Sequence, residues 1–406
     1  MSSPPNAGSN AGPNANSNAG VTYLDHAATT PVRPEAVAAM TPFLGGTFGN
    51  PSGAHSAARA AKTALEDARD EIAALLGAEP GEVVFTAGGT EADNLAVKGA
   101  ARRVRAAGGG DAVVTTAFEH KGVLASCDRL AAEGFRVTRL AVPATGVVDP
   151  DAIAAAVDLR TALVSVMLVN NEVGTIQPLD EIVRRVREQA PAVLVHTDAV
   201  QAVPWIDVAD AAAAVDLVAI SAHKFGGPKG TGALVVRGGV ALEPLLEGGG
   251  QERGLRSGTS NVAGAVAMAA ALRVTCAERA ADVARIAALR DRLLDGLLAA
   301  VPEAFENGDR AAKVAGNAHI GFHGVEAETL LVALDHAGVC AAAGSSCSSG
   351  ATEPSHVLAA MGITSDDALA SIRLSLGYAS TEHDVDVALA VIPRAVEQLR
   401  HAGKAA

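Results

Sequence analysis

The sequence predicts an α/β protein: a mostly parallel sheet covered by helices on both faces, followed by a smaller α+β unit. Three observations carry this. From about residue 34 to 261, helical stretches alternate with short apolar strands, the pattern of a parallel sheet built through helical crossovers. Several of those strands are apolar almost throughout, as strands buried on both faces must be. After Gly264 the pattern gives way to one long Ala/Leu/Arg-rich helical stretch and then to short mixed elements.

Taken in order, residues 1–20 hold Asn, Ala, Gly, Ser and Pro, with Asn-Ala-Gly repeated. Such a stretch buries too little surface to offset its ordering entropy, and a disordered tail is expected. Strands are expected over 82–86, 112–116, 136–140, 162–168, 193–197, 217–221 and 232–236, with helices over 56–76, 90–107 and 179–189. The second unit is expected to comprise a helix over 266–300, a strand over 317–322 and a helix over 326–337. A Gly/Ser/Cys loop (343–350), a strand (371–375) and a terminal helix (382–400) complete it.

Composition excludes several function classes. The 406 residues carry 32 Lys+Arg against 45 Asp+Glu, a net charge of −13, which repels a phosphate backbone and argues against direct nucleic-acid binding. Aromatics are only 3% of the chain, leaving little to stack bases. The longest apolar run, 262–272, stops at Arg273, short of the roughly 18 residues a membrane helix needs. The first Lys or Arg is Arg33, so neither a basic signal-peptide start nor an Arg-rich presequence is seen, and a cytoplasmic location is expected. The four cysteines (Cys127, Cys276, Cys340 and Cys347) form no C-x-x-C. Neither a disulfide framework nor a zinc site is expected, and any cysteine chemistry falls to a single thiol.

Three strand ends carry candidate chemistry. After the strand at 82–86 comes Ala87-Gly88-Gly89-Thr90-Glu91 and then a helix. Two glycines before a helix N-terminus let an anion approach free N–H groups, and the Thr90 hydroxyl can add to them. The same loop also reads as a tight turn with Thr90 as N-cap. The strand at 193–197 leads into Asp198 and Gln201. A carboxylate there can hold a pyridinium nitrogen protonated, and Gln201 can donate to a ring oxygen; Asp198 equally suits capping a turn. The strand at 217–221 ends in Ser221-Ala-His-Lys-Phe-Gly-Gly-Pro228. Burial there disfavours an ammonium, giving Lys224 the nucleophilic amine that condenses with an aldehyde, although lysines usually end in surface loops. A phosphate cradle, a carboxylate and a lysine at one sheet edge describe a pyridoxal 5′-phosphate site, because ligands of such sheets sit at the strands' C-terminal ends. The pairs His196/Asp198 and His319/His323 lack a third ligand, and no metal is expected.

The motifs now allow a comparison. The chain resembles the cysteine desulfurases of the NifS/IscS kind, in the class V aminotransferase group of fold-type I pyridoxal-phosphate enzymes. The resemblance lies in Tyr23-Leu-Asp-His-Ala-Ala-Thr-Thr-Pro31, Gly49-Asn-Pro-Ser52, Phe85-Thr-Ala-Gly-Gly-Thr-Glu-Ala-Asp-Asn94, Glu119-His120 and Asn170-Asn-Glu-Val-Gly-Thr-Ile-Gln-Pro178. It continues through His196-Thr-Asp-Ala-Val-Gln201, Ser221 to Gly230, Gly248 to Thr259 and Ile372-Arg-Leu-Ser375. It departs from the commonest pattern at His26 and Gly53, and Gly344-Ser-Ser-Cys-Ser-Ser resembles the longer-loop branch.

The resemblance implies roles. Lys224 would carry the cofactor as a Schiff base, and His120 would stack on its ring and move protons. Asp198 and Gln201 would pair with the ring nitrogen and oxygen, and Gly89, Thr90, Ser221 and His223 would hold the phosphate. Thr259 would reach the phosphate of the other subunit, implying a homodimer. Arg373 would grip the substrate carboxylate, with Asn50 and Asn171 lining the same pocket; an interior ion pair is the plainer reading of Arg373. Cys347 would accept the sulfur of L-cysteine as a persulfide, leaving L-alanine, and pass it to an acceptor such as an Fe–S scaffold or a thiolation enzyme. The alternative is a selenocysteine lyase or another β-lyase of the same group. The implied organisation is a segment at 21–33 joining the small domain, a large cofactor domain at 34–264 with a seven-stranded sheet, and a small domain at 265–406.

Overall fold

The computed structural model describes residues 20–344 and 354–405. The expected tail, apart from Gly20, and the segment with Cys347 lie outside the described residues. A seven-stranded sheet runs in the spatial order Val83–Thr86, Gly232–Val236, Leu217–Ser221, Leu194–Asp198, Thr161–Ser165, Ala112–Thr116 and Arg136–Leu140. Only Gly232–Val236 is antiparallel to its neighbours; the other pairings are parallel. The strands ending at Thr86, Thr116, Asp198 and Ser221 therefore all finish at one edge, and the candidate chemistry follows them there.

The sequence periods account for these elements. Leu217–Ser221 and Ala112–Thr116 are buried at every position, because one hydrophobic cluster covers each face of the sheet. One cluster contains Val83, Val195, Val218 and Ile220; the other contains Val84, Val113, Leu217 and Ala219. That is the period-two alternation of a strand covered on both sides. The expected strand at 162–168 spans only Thr161–Ser165. Its apolar run continues because Val166 to Val169 remain in the core as the chain leaves the ladder. The helix expected over 90–107 starts at Gly89 and is interrupted by a π-turn at Leu95–Gly99.

A three-stranded antiparallel sheet, Ser371–Ser375 beside Asn317–Phe322 beside Ala304–Glu306, has its own core. The helix Val262–Ala300 joins the two: Val262 to Leu272 pack in the large-sheet core, and Ile286 to Leu297 in the small one. The expected boundary at 264/265 thus falls inside that helix. The N-terminal segment makes a second link. Thr22–Tyr23 pairs in parallel with Val339–Cys340, Leu24 is fully buried in the small-sheet core, and Asp25 bridges to Ser375. The chain then turns toward the edge of the large sheet.

Candidate active site

A cavity of about 270 Å³ opens at that edge. The phosphate-cradle expectation falls on its wall. Gly88 sits at φ +150°, and a Cβ on Gly89 would lie 2.7 Å from Val200 Cγ2, so the helix start is pressed against its neighbour. Thr90 is not the N-cap. Gly88 occupies that position, and the Glu91 carboxylate, 2.8 Å from Ala87 N, satisfies a free N–H. Thr90 is exposed and lines the cavity, leaving its hydroxyl available to an anion.

Lys224 ends the short helical turn after Leu217–Ser221. Its Nζ donates to the carbonyls of Ala27 at 2.5 Å and Ala28 at 2.9 Å. Ser221 is buried on the same wall, and His223 Nδ1 lies 3.2 Å from Thr29 Oγ1. Burial, with Lys224 and Lys229 adding to it, pushes the His223 imidazole down to about 4. Gln201 donates to Ala27 O at 2.8 Å.

Asp198 closes its strand, with Oδ1 accepting from Val200 N at 2.9 Å. Burial raises its pKa, and His120 and Lys224 oppose that rise. His120 is the N-cap of Lys121–Ala132, with Nδ1 3.1 Å from Gly122 N. With Nδ1 accepting there, the neutral ring carries its proton on Nε2. Burial lowers the His120 pKa, while Asp198 pulls it upward.

Arg373 and Asn171 line the opposite side. Arg373 donates from Nη1 to Asn171 O and from Nη2 to Asp25 Oδ1, both at 2.8 Å, so the ion-pair reading also holds. Its Nε and the Asn171 Oδ1 are buried without hydrogen-bond partners. Such orphaned polar atoms mark a wall built for a polar ligand. Together with the Gly88-Gly89 approach, they fit a phosphorylated cofactor with a carboxylate-bearing substrate.

Ten of the expected residues converge on this cavity: Gly89, Thr90, His120, Asn171, Asp198, Gln201, Ser221, His223, Lys224 and Arg373. Asn50 does not; it is exposed, and its Oδ1 accepts from Ser52 N at 3.0 Å. Thr259 is exposed and away from its own chain's cavity. Of the described cysteines, Cys127 is fully buried and its thiol is pushed up to about 12. Burial also raises Cys276 and Cys340, both of them only partly buried. A nucleophilic sulfur must be a thiolate, and none of these three is placed for that.

Three acids went unassigned in the sequence reading. Asp93, one turn beyond Gly89, is fully buried with polar atoms within 4.8 Å of His120 and Asp198. Burial raises it well above the carboxylate range, and Asp198 and Glu119 add to that. The i, i+4 spacing from Gly89 was the available signal. Glu119 accepts from Thr116 Oγ1 at 2.7 Å and Met167 N at 3.0 Å, and burial pushes it up to about 8. Glu172, fully buried, accepts from Ser355 Oγ. His196, read as a possible ligand, instead bonds Ser165 Oγ at 2.9 Å. His319 is buried beside Asn307, while His323 is exposed just beyond the strand.

Comparison with known proteins shows the family. The model of the family "Aminotransferase class-V" matches residues 22–388, and the chain belongs to that family, whose members use pyridoxal phosphate. Within it, the chain stands with the cysteine desulfurases. It is 47% identical over 398 residues to an IscS-like cysteine desulfurase of Mycobacterium tuberculosis, covering 95% of this chain and 99% of that one. It is 43% identical to the cysteine desulfurase IscS of Methanosarcina thermophila, covering 93% of each. Among solved structures, a NifS-like protein superposes with a TM-score of 0.87 at 35% identity, over 93% of this chain and all of the other.

Proposed function

We propose that the cavity binds pyridoxal 5′-phosphate and that the chain desulfurates L-cysteine to L-alanine, with Cys347 taking the sulfur. The observation that carries this is the convergence of Lys224, Asp198, His120 and Arg373 on one cavity at the sheet edge. Gly89, Thr90, Ser221 and His223 would hold the phosphate, Asp198 the ring nitrogen and Gln201 the ring oxygen. When bound, the cofactor supplies an electron sink that labilises bonds at the substrate's α and β carbons.

The chain's own groups do the rest. Arg373 orients the substrate carboxylate. Lys224 Nζ and His120 Nε2 hold and move protons beside the α carbon, which suits an imidazole whose burial keeps it neutral at physiological pH. The Cys347 thiolate attacks the substrate sulfur: an S–S bond forms, the carbon–sulfur bond breaks, and its electron pair stays with carbon. That carbon is then protonated to the alanine methyl group. The persulfide on Cys347 is consumed by the thiol of an acceptor, such as an Fe–S scaffold or a thiolation enzyme. Thr259, exposed and outside its own cavity, is assigned to the site of a second copy in a homodimer. No helix among the described residues is long and apolar enough to cross a membrane, and we assign the chain to the cytoplasm. The domain division is proposed as a segment at 21–33, a large unit at 34–264 and a small unit at 265–406.

The purified protein should show the visible-edge absorbance of lysine-bound pyridoxal phosphate. Lys224→Ala should abolish that band and cut alanine production by at least about a thousandfold. A colourless wild-type protein that takes up no added cofactor would refute the assignment.

A further inference from the structure

The turn 25–30 touches both ends of the site. Its Ala27 and Ala28 carbonyls receive Lys224 Nζ, Ala27 O also receives Gln201, and Thr29 Oγ1 meets His223. At its start, the Asp25 carboxylate lies 2.8 Å from Arg373 Nη2, and Arg373 is only 2% exposed. The turn is itself rigidly tied. Tyr23 Oη shares its one proton between Asp25 O at 3.0 Å and Thr29 O at 2.9 Å, and Ala28 N donates to Asp25 O at 3.0 Å. Ala27 N donates to Ser375 Oγ at 2.9 Å, two residues beyond Arg373 on its strand.

An α-amino acid carries its amine and carboxylate on one carbon. A site that selects it must fix the distance between its carboxylate-binding group and its amine. Arginine is a long side chain with several free torsions, so the position of its backbone alone does not set that distance.

We propose that Asp25 is a positioning residue for substrate recognition: its carboxylate fixes the Arg373 fork relative to Lys224, through a turn anchored on both. The proposal rests on Arg373 being the carboxylate-binding group. Nη1 and Nη2 are held by Asn171 O and Asp25, while Nε remains unpartnered. The fork thus meets an incoming carboxylate already oriented, and less conformational freedom is lost on binding.

The test uses the cofactor-loaded protein and measures the equilibrium affinity for L-alanine, which has no sulfur to transfer, by spectral titration, together with KM and kcat for L-cysteine. In Asp25→Ala, Kd for L-alanine and KM should rise together by about tenfold, with kcat changed little. Cofactor absorbance should be retained. In Asp25→Asn, which keeps the acceptor oxygen, the rise should be smaller; if the alanine variant fails to fold, any rise in Kd in Asp25→Asn supports the role and none overturns it. Unchanged or tighter L-alanine binding in Asp25→Ala, with Arg373→Ala binding weakly, overturns the role of Asp25. If Arg373→Ala also leaves L-alanine binding unchanged, it is the reading of Arg373 that fails.

Discussion

Lys224 and Asp198 stand out because each lies at the end of a strand whose neighbours force it to one edge, Asp198 as the last strand residue and Lys224 one short turn past Ser221. Local sequence revealed that much: an apolar run, a polar residue, then Gly-Gly-Pro or a turn. Asp93 and Asp25 were not legible in this way, because their meaning lies in partners far along the chain. Glu119 shows what such burial does to stability. Folded, it is protonated up to about pH 8; unfolded, it ionises near its ordinary value. The folded state therefore binds the extra proton between those limits, and stability falls as pH rises through them, by about 1.4 kcal/mol per unit at most. Buried His196 and His319, lowered to about 3, act oppositely. They are neutral when folded and charged when unfolded below about pH 6.5, so stability falls as pH drops from there. In the cofactor-free protein, Glu119→Gln keeps both hydrogen bonds to its oxygen. It should flatten the decline in urea-unfolding free energy between pH 6.5 and 8, and steepen the fall toward acid between about pH 6.5 and 4.5, where Glu119 opposes the two histidines. A parallel decline in both proteins would remove Glu119 as its cause.

At the scale of elements, the cradle and the loop at 248–259 share a support. Glu252, in the left-handed region at φ 47°, meets Arg69 through both oxygens at 2.8 and 2.9 Å and accepts from Phe85 N at 3.0 Å. Both side chains of the pair are about 5% exposed. Without Glu252, the buried Arg69 keeps only the half-exposed Glu66 at 3.0 Å and the Val83 carbonyl, and Phe85 N loses its acceptor, so Glu252→Ala should destabilise the protein by about 1–3 kcal/mol in denaturant unfolding. A loss below about 1 kcal/mol would mean the pair is effectively solvated. The cradle responds differently. Gly89→Ala pushes a methyl against Val200 Cγ2, on the wall proposed to hold the phosphate. Cofactor affinity by equilibrium dialysis should drop at least about tenfold, with the far-UV spectrum unchanged. The glycines and the strand before them made this element readable; the displaced N-cap was not, because Gly88 and Glu91 do together what Thr90 could have done alone.

Across the whole molecule, two continuous pieces hold the cavity between the sheets. The helix Val262–Ala300 lies in both cores, and the N-terminal segment runs from the small sheet to Lys224. The strand–helix alternation foretold the large sheet, and the change after Gly264 foretold the small one. Only the resemblance, and no pattern in the residues, implied that the segment at 21–33 joins the small domain, because a two-residue strand paired across the chain leaves no periodicity. A cofactor held only by the assembled cavity binds the folded state alone. Saturating pyridoxal phosphate should therefore raise the melting temperature of the wild type and much less that of Lys224→Ala. Equal shifts would place the cofactor elsewhere. The most direct test of the function follows the sulfur itself. After one turnover with L-cysteine labelled at sulfur, mass spectrometry of the alkylated protein should find one added sulfur atom on Cys347, alongside an equal amount of L-alanine. Cys347→Ser should keep the cofactor and lose both products. Alanine formed at the wild-type rate by Cys347→Ser, or label released without passing through Cys347, would contradict the account.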